Sequence, residues 1–481
     1  MKPRLESERM TSVSYTHDLI VIGAGAAGLT VAGGAAMFGL NVVLVEAGAM
    51  GGDCLNTGCV PSKALLAAAA RARDGRVGAR LGVDLGPPRI DFGAVRDHVR
   101  GAIAAIAPVD SQERFEALGV EVVRARATIV GDRHVTAAGR DLFAPRLAIA
   151  TGSRPRVPAI PGLADVAWLT NETIFDLEML PRHLAILGGG PIAMEMAQAF
   201  VRLGAQVTVI ARGAYLMRDD PRAARFVIDA LSAEGVNFLT GTSVERVARD
   251  GDDIRLTLDG GTGIAASHLL LATGRAPNVT GFGLEHAAVA CGDDGILVDS
   301  RRRTSNRRVY AVGDCRAGPR FTHMAGHDGS VAAVNIALGW PARAEAAAIP
   351  HTMFTDPELA QVGMTEGAAR ARFGRIDVVT QDFAHNDRAI AEGDTRGFIK
   401  LVRHRRRVVG VTIVGRHAGD LLLPWTQIIA GKAGIFTLAS AIVAYPTRSE
   451  ISKAAAFAAH EAQVFGPWPR RWARLIARMR R

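Results

Sequence analysis

Two stretches of the chain are near copies of each other, and together they decide the fold. LIVIGAGAAGLTVAGGAAMFGLNVVLVEAG runs from Leu19 to Gly48, and LAILGGGPIAMEMAQAFVRLGAQVTVIARG runs from Leu184 to Gly213. They align without a gap at an offset of 165 positions. Each consists of an apolar strand, a glycine-rich turn, a helix and a second apolar strand. The repeat therefore predicts two βαβ units of the kind that bind dinucleotides.

The small residues of each turn have separate physical roles. The first glycine permits the tight turn, the second lets the backbone approach a diphosphate, and the third position lets helix and strand pack closely. The diphosphate then lies against free N–H groups at the helix N-terminus. The predicted binding positions are Gly23, Gly25 and Gly28 in the first copy, and Gly188, Gly190 and Ala193 in the second.

The two copies differ at the end of the second strand. Glu46 ends this strand in the first copy, where a carboxylate can accept hydrogen bonds from a ribose diol. The second copy has Ala211 followed by Arg212, and a guanidinium suits a 2′-phosphate. We therefore expect the first site to hold an adenosine with free ribose hydroxyls. The second site should prefer NADPH to NADH.

Three further apolar strands end in motifs that complete these two domains. LAIATGSRP (Leu147–Pro155) resembles LLLATGRAP (Leu269–Pro277), and each is predicted to close the sheet of one nucleotide domain. VYAVGDC (Val309–Cys315) is the return to the first domain, and a carboxylate at such a strand end can bind the polyol of a flavin's ribityl chain. These motifs add the candidate cofactor-binding residues Thr151, Gly152, Gly274, Gly313 and Asp314.

Composition limits the class of protein. A chain of 481 residues predicts about three domains, and 48% hydrophobic with 22% charged residues is a globular balance. The net charge of +10 is concentrated in Arg301–Arg308, Arg403–Arg407 and the last dozen residues. The first two runs are typical of solvated faces, so no nucleic-acid partner is expected.

Cysteine content and apolar segments indicate the compartment. Four cysteines are too few for a disulfide-stapled secreted protein, and the first residues do not read as a signal peptide. The uncharged stretch Leu19–Val45 is long enough to span a bilayer, but six glycines interrupt it. We therefore expect a cytoplasmic protein without a transmembrane segment.

Two cysteines lie five positions apart in GGDCLNTGCVPSKALLAAAARAR, which runs from Gly51 to Arg73. In a regular helix this spacing rises about 7.5 Å, beyond the ~7 Å Cα separation that a disulfide allows. A bridge between Cys54 and Cys59 therefore requires a distorted turn, and Asn56-Thr57-Gly58 are poor helix formers in the right place. A strained bridge at a helix start should be readily reducible.

Two other interpretations of the cysteines stay open at this point. They could be buried structural cysteines, or half of a zinc site, which would need two more ligands at recognisable spacing. Cys291 and Cys315 stand alone in the sequence. The pattern favours a redox-active pair.

Taken together, these motifs resemble the flavin-dependent pyridine nucleotide–disulfide oxidoreductases, which include glutathione reductase, dihydrolipoamide dehydrogenase and mercuric reductase. GGDCLNTGCVPSK is the most specific motif, and FTDPELAQVGMTE and EGDTRGFIKLV also match. The resemblance covers about residues 16 to 460. It implies an α/β fold with two doubly wound Rossmann-like nucleotide-binding domains, the second inserted in the first, and a C-terminal α+β dimerisation domain. The implied boundaries are 16–158 and 281–347 for FAD, 159–280 for NAD(P)H, 348–465 for dimerisation, and 466–481 for a basic tail.

The resemblance also implies a division of labour in a homodimer. FAD and NADPH are the implied cofactors, with NADH as the alternative donor, and Gly52 joins the FAD-binding residues. Cys59 is the implied charge-transfer thiol next to the flavin, and Cys54 is the interchange thiol that meets the substrate. Lys63 is implied to pair with Glu195 near the flavin, where a cation stabilises the reduced, anionic ring.

The chain departs from the thiol-reducing members in one element. Those members carry His-Pro-Thr-x-x-Glu, donated by the partner subunit, whereas this chain has Tyr445-Pro446-Thr447-Arg448-Ser449-Glu450. A histidine can take a proton from the interchange thiol near neutral pH, but a tyrosine with a pKa of about 10 cannot do so efficiently. His323 and His327 follow the flavin motif and are either a replacement base or packing residues.

Mercuric reductases carry a tyrosine in this region, so the motifs are closest to mercuric-reductase-like members. The chain departs from them too, because it lacks the C-terminal cysteine pair that receives the metal in those enzymes. The expected acceptor is a metal ion, a disulfide or another electrophile, and no resident metal site is expected. A dihydrolipoamide dehydrogenase-type enzyme is the alternative. The alternative of another class is a non-catalytic flavin redox sensor or membrane-docked adaptor.

The last residues, PWPRRWARLIARMRR, have an amphipathic pattern. Trp468, Trp472, Leu475, Ile476 and Met479 share one face of a helical wheel, and six arginines occupy the rest. This pattern predicts peripheral contact with the inner face of a membrane, and the alternatives are a frayed basic tail or a helix docked on the body of the protein.

Overall fold

The computed structural model describes residues 14–481, the side chains of 462 and 463 excepted. The chain divides into two compact units. The first contains residues up to Val60, Ala102–Arg154 and Arg275–Ala344, and the second contains Pro61–Gly101, Pro155–Gly274 and Glu345–Arg481. Among the described residues, no helix is long and apolar enough to cross a membrane.

The first unit is built on a five-stranded parallel sheet. Its strands, in spatial order, are Val309–Ala311, Arg146–Ile149, Leu19–Ile22, Val42–Glu46 and Val120–Arg124. The apolar runs of the first four are buried, as expected for parallel strands covered on both faces, whereas the edge strand Val120–Arg124 is only partly buried. An antiparallel sheet of Thr128–Gly131, His134–Ala137 and Arg140–Phe143 packs into the same core. Short ladders join Ser153–Pro155 to Arg275–Pro277, and Cys291–Gly292 to Gly295–Ile296.

The helices of this unit include one pair that packs through small residues. The helices are Ala26–Met37, Gly52–Asn56, Gln112–Ala117 and Thr322–Leu338, while Cys59–Val77 and Phe92–Ile106 begin in one unit and end in the other. A Cβ atom on Gly34 would lie 3.0 Å from the Cβ atom of Ala333, and one on Gly329 would lie 2.8 Å from that of Thr30. Glycines therefore allow Ala26–Met37 and Thr322–Leu338 to approach closely.

The second unit contains a four-stranded parallel sheet of Asn237–Thr240, Gln206–Ala211, His183–Leu187 and His268–Leu271. Its helices are Pro191–Leu203 and Pro221–Ala233, and an antiparallel sheet of Val244–Asp250, Asp253–Leu258 and Gly263–Ala266 shares its core. The register repeats that of the first unit, because Leu19 pairs with Val42 and Leu184 pairs with Val207.

The C-terminal part of the second unit is a five-stranded antiparallel sheet covered by helices. The strands are Pro350–Met353, Glu358–Gly363, Arg407–Gly415, Phe398–His404 and Asp377–Asp382. The helices are Glu366–Phe373, Asp387–Ala391, Leu423–Ile429, Ile435–Ala439, Glu450–Ala458, Glu461–Val464 and Pro467–Met479. Trp425 is fully buried in this core, and its indole N–H donates to the Ser452 hydroxyl at 3.1 Å.

The predicted fold class is confirmed: two Rossmann-like nucleotide-binding domains precede a C-terminal α+β domain. One detail differs from the expectation. Arg146–Ile149 does not close its sheet, because Val309–Ala311 pairs on its outer side. The other ATG strand, His268–Leu271, does end the order of its four-stranded sheet.

Candidate active site

The protein's own packing explains why glycine occupies the first position of both turns and the third position of the first turn. Gly23 has φ +104°, and a Cβ atom there would collide with the carbonyl oxygen of Ala150. Gly188 has φ +137° and would collide in the same way with Ala272. A Cβ atom on Gly28 would meet the carbonyl of Gly23. Steric exclusion by backbone therefore fixes glycine at all three positions.

The second glycine of each turn has no such explanation. The nearest atom to a Cβ on Gly25 is the Cα of Gly52 at 4.0 Å, and within residues 14–481 nothing lies within 4 Å of a Cβ on Gly190. Each is the N-cap residue of its helix, and neither helix has a side-chain cap. Open space thus lies in front of N–H groups at two helix N-termini. These turns fit the diphosphates of FAD and of NAD(P)H.

The carboxylate of Glu46 is fixed next to the first turn. It accepts hydrogen bonds from the Ala24 and Gly48 N–H groups, each at 2.5 Å. In the second turn, Ala211 is buried at the end of its strand, and Arg212 is exposed beside it. Arg218 is also exposed a few residues later. The second turn therefore presents positive charge where the first presents a carboxylate.

The cysteine motif forms two helices with a break between them. Gly52–Asn56 carries Cys54, and Cys59 is the first residue of Cys59–Val77. A Cβ atom on Gly58 would lie 2.8 Å from the carbonyl oxygen of Asp53, so the break is tight enough to need glycine. The two thiols lie within hydrogen-bonding reach of each other. That contact and burial raise the pKa of Cys54 far above its ordinary value.

The cysteine motif lies directly against the first glycine turn. The Gly51 N–H donates to the Ala24 carbonyl at 2.9 Å, and a Cβ atom on Gly52 would lie 2.8 Å from the Cα of Gly25. The same backbone bond recurs in the second turn, from Leu216 to Gly189 at 2.9 Å. The internal repeat therefore extends to Gly51 and Leu216. The chain continues into the cysteine helix only in the first copy.

A threonine that sequence reasoning did not single out contacts the cysteine pair. The Cys59 sulfur lies 3.2 Å from the Thr322 hydroxyl. Thr322 is the first residue of the helix Thr322–Leu338, which follows the Val309–Cys315 motif in the chain. His323 and His327 are exposed on this helix, and the His323 ring stacks on Phe321 with 5.3 Å between centroids.

Arg275 connects the cysteine motif with the ATG and GDC motifs and was also missed. It forms an ion pair with Asp53, the residue before Cys54, and its Nε donates to the Ser153 hydroxyl at 2.7 Å. That hydroxyl in turn donates to Asp314 at 2.9 Å. Asp53 and Arg275 lie inside the motifs GGDC and ATGRAP, but neither motif indicates that the two residues pair.

The remaining candidate residues either have a backbone or side chain fixed by hydrogen bonds, or are glycines with open space around them. The fully buried Asp328 accepts a hydrogen bond from the Gly313 N–H at 3.3 Å and pairs with Arg302 and Arg316, which fixes the backbone before Asp314. The Thr151 hydroxyl donates to the Asn278 carbonyl at 2.7 Å. Among the described residues, nothing lies within 4 Å of a Cβ on Gly152 or Gly274.

Lys63 and Glu195 form an ion pair within the second unit. The Lys63 Nζ lies 2.9 Å from the carboxylate of Glu195, which is buried on the helix Pro191–Leu203. The same carboxylate accepts a hydrogen bond from the Phe354 N–H at 2.9 Å, and the Lys63 Nζ also lies 4.6 Å from the Phe354 ring centroid. Glu195 is thus satisfied by one cation and one backbone donor.

Tyr445 and Glu450 belong to the C-terminal part of the second unit. The Tyr445 hydroxyl donates to the Asp387 carboxylate at 3.0 Å, and the residue is 71% exposed. This bond and the negative charge of Asp387 raise the pKa of Tyr445 above its ordinary value. Glu450 accepts a hydrogen bond from the Thr447 N–H at 3.3 Å and, with His385 and Asp387, lines an open cleft.

Comparisons with curated proteins give relatives along most of the chain. It is 35% identical over 455 residues to a mercuric reductase from Streptomyces lividans, which covers 92% of this chain and 95% of that protein. It is 31% identical to a mercuric reductase from Bacillus cereus, and the alignment covers 93% of this chain and 73% of that protein.

Two solved structures have the same fold. RclA from Escherichia coli, a "HOCl-induced flavoprotein disulfide reductase", superposes with a TM-score of 0.82 at 26% identity, covering 91% of this chain and 99% of that chain. LpdA from Mycobacterium tuberculosis superposes with a TM-score of 0.84, also at 26% identity and with the same coverage.

Family models divide the chain into two matched regions. Residues 17–329 match the model described as pyridine nucleotide-disulphide oxidoreductase, and residues 349–456 match the dimerisation domain of the same family. Both the glycine turns and the cysteine pair lie in the first region, and Tyr445 and Glu450 lie in the second. The chain therefore belongs to the pyridine nucleotide–disulphide oxidoreductases, as an FAD-dependent enzyme that takes its electrons from NAD(P)H.

Proposed function

We propose that this enzyme uses NADPH and delivers electrons from the reduced Cys54–Cys59 pair to a thiophilic metal ion, with mercuric ion as the first candidate. The observation that carries the choice of acceptor is the hydrogen bond from Tyr445 to Asp387. In dithiol reductases of the family a histidine at this position acts as the base. Here the side chain is an exposed phenol that donates to a carboxylate and has a raised pKa, so it is a poor proton acceptor at neutral pH.

A metal ion needs no such base. Soft metal ions bind thiolates, and their reduction consumes electrons without protonating a thiol leaving group. For mercuric ion, the balance is one NADPH oxidised to NADP⁺ with release of one proton, and one Hg²⁺ reduced by two electrons to Hg⁰. When bound, FAD supplies the route by which the electron pair of NADPH reaches the cysteines.

The cysteines have different proposed tasks. Cys59 begins the helix Cys59–Val77, where the helix dipole stabilises a thiolate, and it is the proposed charge-transfer thiol. Cys54 is the proposed interchange thiol that meets the acceptor. Its raised pKa reflects the contact with Cys59, and pairing with a metal cation in place of that thiol would favour its ionisation.

The glycine turns and charged residues complete the proposal. Gly25 would face the diphosphate of FAD, with Glu46 on the ribose and Asp314 on the ribityl chain. Gly190 and Arg212 would bind the diphosphate and 2′-phosphate of NADPH. Lys63, oriented by Glu195, would offset the negative charge of the reduced flavin.

The dimerisation domain at 349–456 supports a homodimer. We propose that each chain contributes Tyr445 and Glu450 to the site of its partner. A monomeric protein with full activity would contradict this part of the proposal.

The test is an acceptor screen that follows NADPH oxidation with mercuric ion, lipoamide, glutathione disulfide and a quinone. We expect turnover with mercuric ion that Cys54→Ser abolishes, and turnover with lipoamide or glutathione disulfide at least about a hundredfold slower, since a general base contributes roughly 10²–10⁴ in rate. Fast lipoamide turnover would instead assign a dihydrolipoamide dehydrogenase-type activity. Flavin binding without reduction by NADPH would assign a non-catalytic sensor.

A further inference from the structure

The last helix of the chain has an apolar face that the structure leaves exposed. Pro467–Met479 is helical, and within it no residue is buried. Trp468 and Met479 are each 73% exposed, Trp472 is 54% exposed, and Leu475 is 47% exposed. With Ile476, these side chains fall within about 100° of a helical wheel at 3.6 residues per turn. The helix thus presents a continuous apolar stripe to its surroundings.

The two tryptophans form the wide part of this stripe. The rings of Trp468 and Trp472 stack with an interplanar angle of 1° and centroids 6.2 Å apart. An indole combines a large apolar surface with one N–H donor, which is why tryptophan is enriched at the level of lipid headgroups. Two exposed stacked indoles on one helix face are a costly arrangement for a surface that meets only water.

All the charged residues of the helix and of the two residues that follow it are cationic. Arg470, Arg471, Arg474, Arg478, Arg480 and Arg481 surround the stripe. No aspartate or glutamate occurs between Gly466 and Arg481. Arginines with long stems can lie beside the stripe and extend their guanidinium groups to phosphates. This charge pattern matches a surface that is apolar beneath and anionic at its boundary.

We propose that the helix Pro467–Met479 docks this enzyme on the surface of an anionic lipid bilayer. The helix lies parallel to the surface, with the tryptophan stripe among the acyl chains and the arginines among the headgroup phosphates. A helix of this length is roughly 20 Å long. A second copy of the chain is the competing occupant, and charge argues against it, because six arginines would face their own symmetry mates or the enzyme's net charge of +10.

The test is co-sedimentation of the FAD-loaded full chain with vesicles, scored by protein in the pellet. The probes are phosphatidylcholine vesicles with and without phosphatidylglycerol. We expect pelleting only with phosphatidylglycerol, weakened by salt because surface charges are screened. A chain ending at Phe465 should retain flavin and NADPH oxidation but should not pellet.

Matched variants distinguish an effect of the tail on vesicle binding from a general effect of surface charge or of an exposed tryptophan. Arg470→Glu/Arg474→Glu should lower vesicle partitioning by more than about tenfold, since each arginine near an anionic surface contributes about 1 kcal/mol. Arg406→Glu/Arg407→Glu makes the same charge change at exposed positions elsewhere and should lower it far less. Trp468→Ala should weaken binding, whereas Trp340→Ala, at a residue that is 63% exposed, should not.

Three results would overturn the proposal. Equal pelleting of the full chain and the chain ending at Phe465 would remove the tail from lipid binding. If the full chain binds flavin and oxidises NADPH but does not pellet with vesicles, the enzyme does not dock on a membrane. A change of oligomeric state on truncation, without any lipid dependence, would assign the helix to contact with a second copy.

Discussion

The hydroxyl of Tyr445 donates a hydrogen bond to the carboxylate of Asp387 across 3.0 Å. Because the tyrosinate would face this negative charge and lose the hydrogen bond, the pKa of Tyr445 is raised. We therefore predict that Asp387→Asn lowers the pH at which Tyr445 ionises. Ultraviolet titration of tyrosinate should show one transition at lower pH in Asp387→Asn than in the parent, and that transition should be missing in Asp387→Asn/Tyr445→Phe.

The same site makes a prediction about activity. Tyr445→His supplies a group that accepts a proton near neutral pH, so lipoamide turnover should rise by at least about tenfold and develop a pH dependence near the histidine pKa. Tyr445→Phe, which removes the hydroxyl without adding a base, should leave lipoamide turnover low. A rise in Tyr445→Phe equal to that in Tyr445→His would mean that bulk or polarity, rather than proton transfer, limits dithiol chemistry.

Much of the fold was predictable because the chain repeats itself. The offset of 165 positions gave the strand pairing of both sheets, since Leu19 pairs with Val42 and Leu184 with Val207. The break at Asn56-Thr57-Gly58 was predictable because five residues of regular helix hold two cysteines too far apart for a disulfide. In both cases the information is local, so propensity and spacing are sufficient.

The contacts that were missed join residues distant in sequence. Arg275 lies 222 positions from Asp53, and Thr322 lies 263 positions from Cys59. Periodicity carries no information about such pairs. Asp387 differs from these pairs in its reason: the partner of the Tyr445 phenol lies outside the motif Tyr445–Glu450, so the motif alone does not indicate it.

The glycine turns allow a test of cofactor assignment by one type of substitution. Gly25 and Gly190 both have extended backbone, at φ −80° and −92°, and open space around a Cβ atom. Alanine should therefore fold normally at either position and obstruct only the bound diphosphate. We expect Gly25→Ala to purify with little FAD, and Gly190→Ala to keep FAD while its KM for NADPH rises by about tenfold or more.

Two controls accompany this pair. Gly101→Ala changes a helical glycine with no atom of residues 14–481 within 4 Å of its Cβ, and should affect neither cofactor. Gly28→Ala, which would collide with the Gly23 carbonyl, should destabilise the whole protein. If Gly25→Ala bound FAD as well as Gly101→Ala does, the first turn would not be the diphosphate site.

Arg212 should determine the proposed preference for NADPH. A charge-assisted hydrogen bond is worth about 1.5–3 kcal/mol, so Arg212→Ala should raise the KM for NADPH by roughly 10- to 100-fold and leave that for NADH nearly unchanged. Arg246→Ala removes an exposed arginine from the strand Val244–Asp250 and serves as the matched control. Equal effects on both nucleotides would assign Arg212 to the shared diphosphate or to the fold.

Loss of Lys63 and loss of Glu195 should lower the stability of the protein by unequal amounts. Glu195 is 5% exposed, whereas the Lys63 side chain is 36% exposed. Lys63→Met leaves a buried carboxylate with the Phe354 N–H as a hydrogen-bond donor, and should cost about 1–3 kcal/mol of stability. Glu195→Gln can still accept from Phe354, and the lysine it leaves is partly in water, so its cost should be smaller. Thermal unfolding of the two FAD-free variants should therefore show a larger loss of stability for Lys63→Met than for Glu195→Gln. The reverse order would show that Lys63, rather than Glu195, is the costly charge to leave unpaired.

Stopped-flow reduction by NADPH adds a measurement that a change of stability alone would not affect. Both variants should slow flavin reduction if Lys63 offsets the negative charge of the reduced flavin.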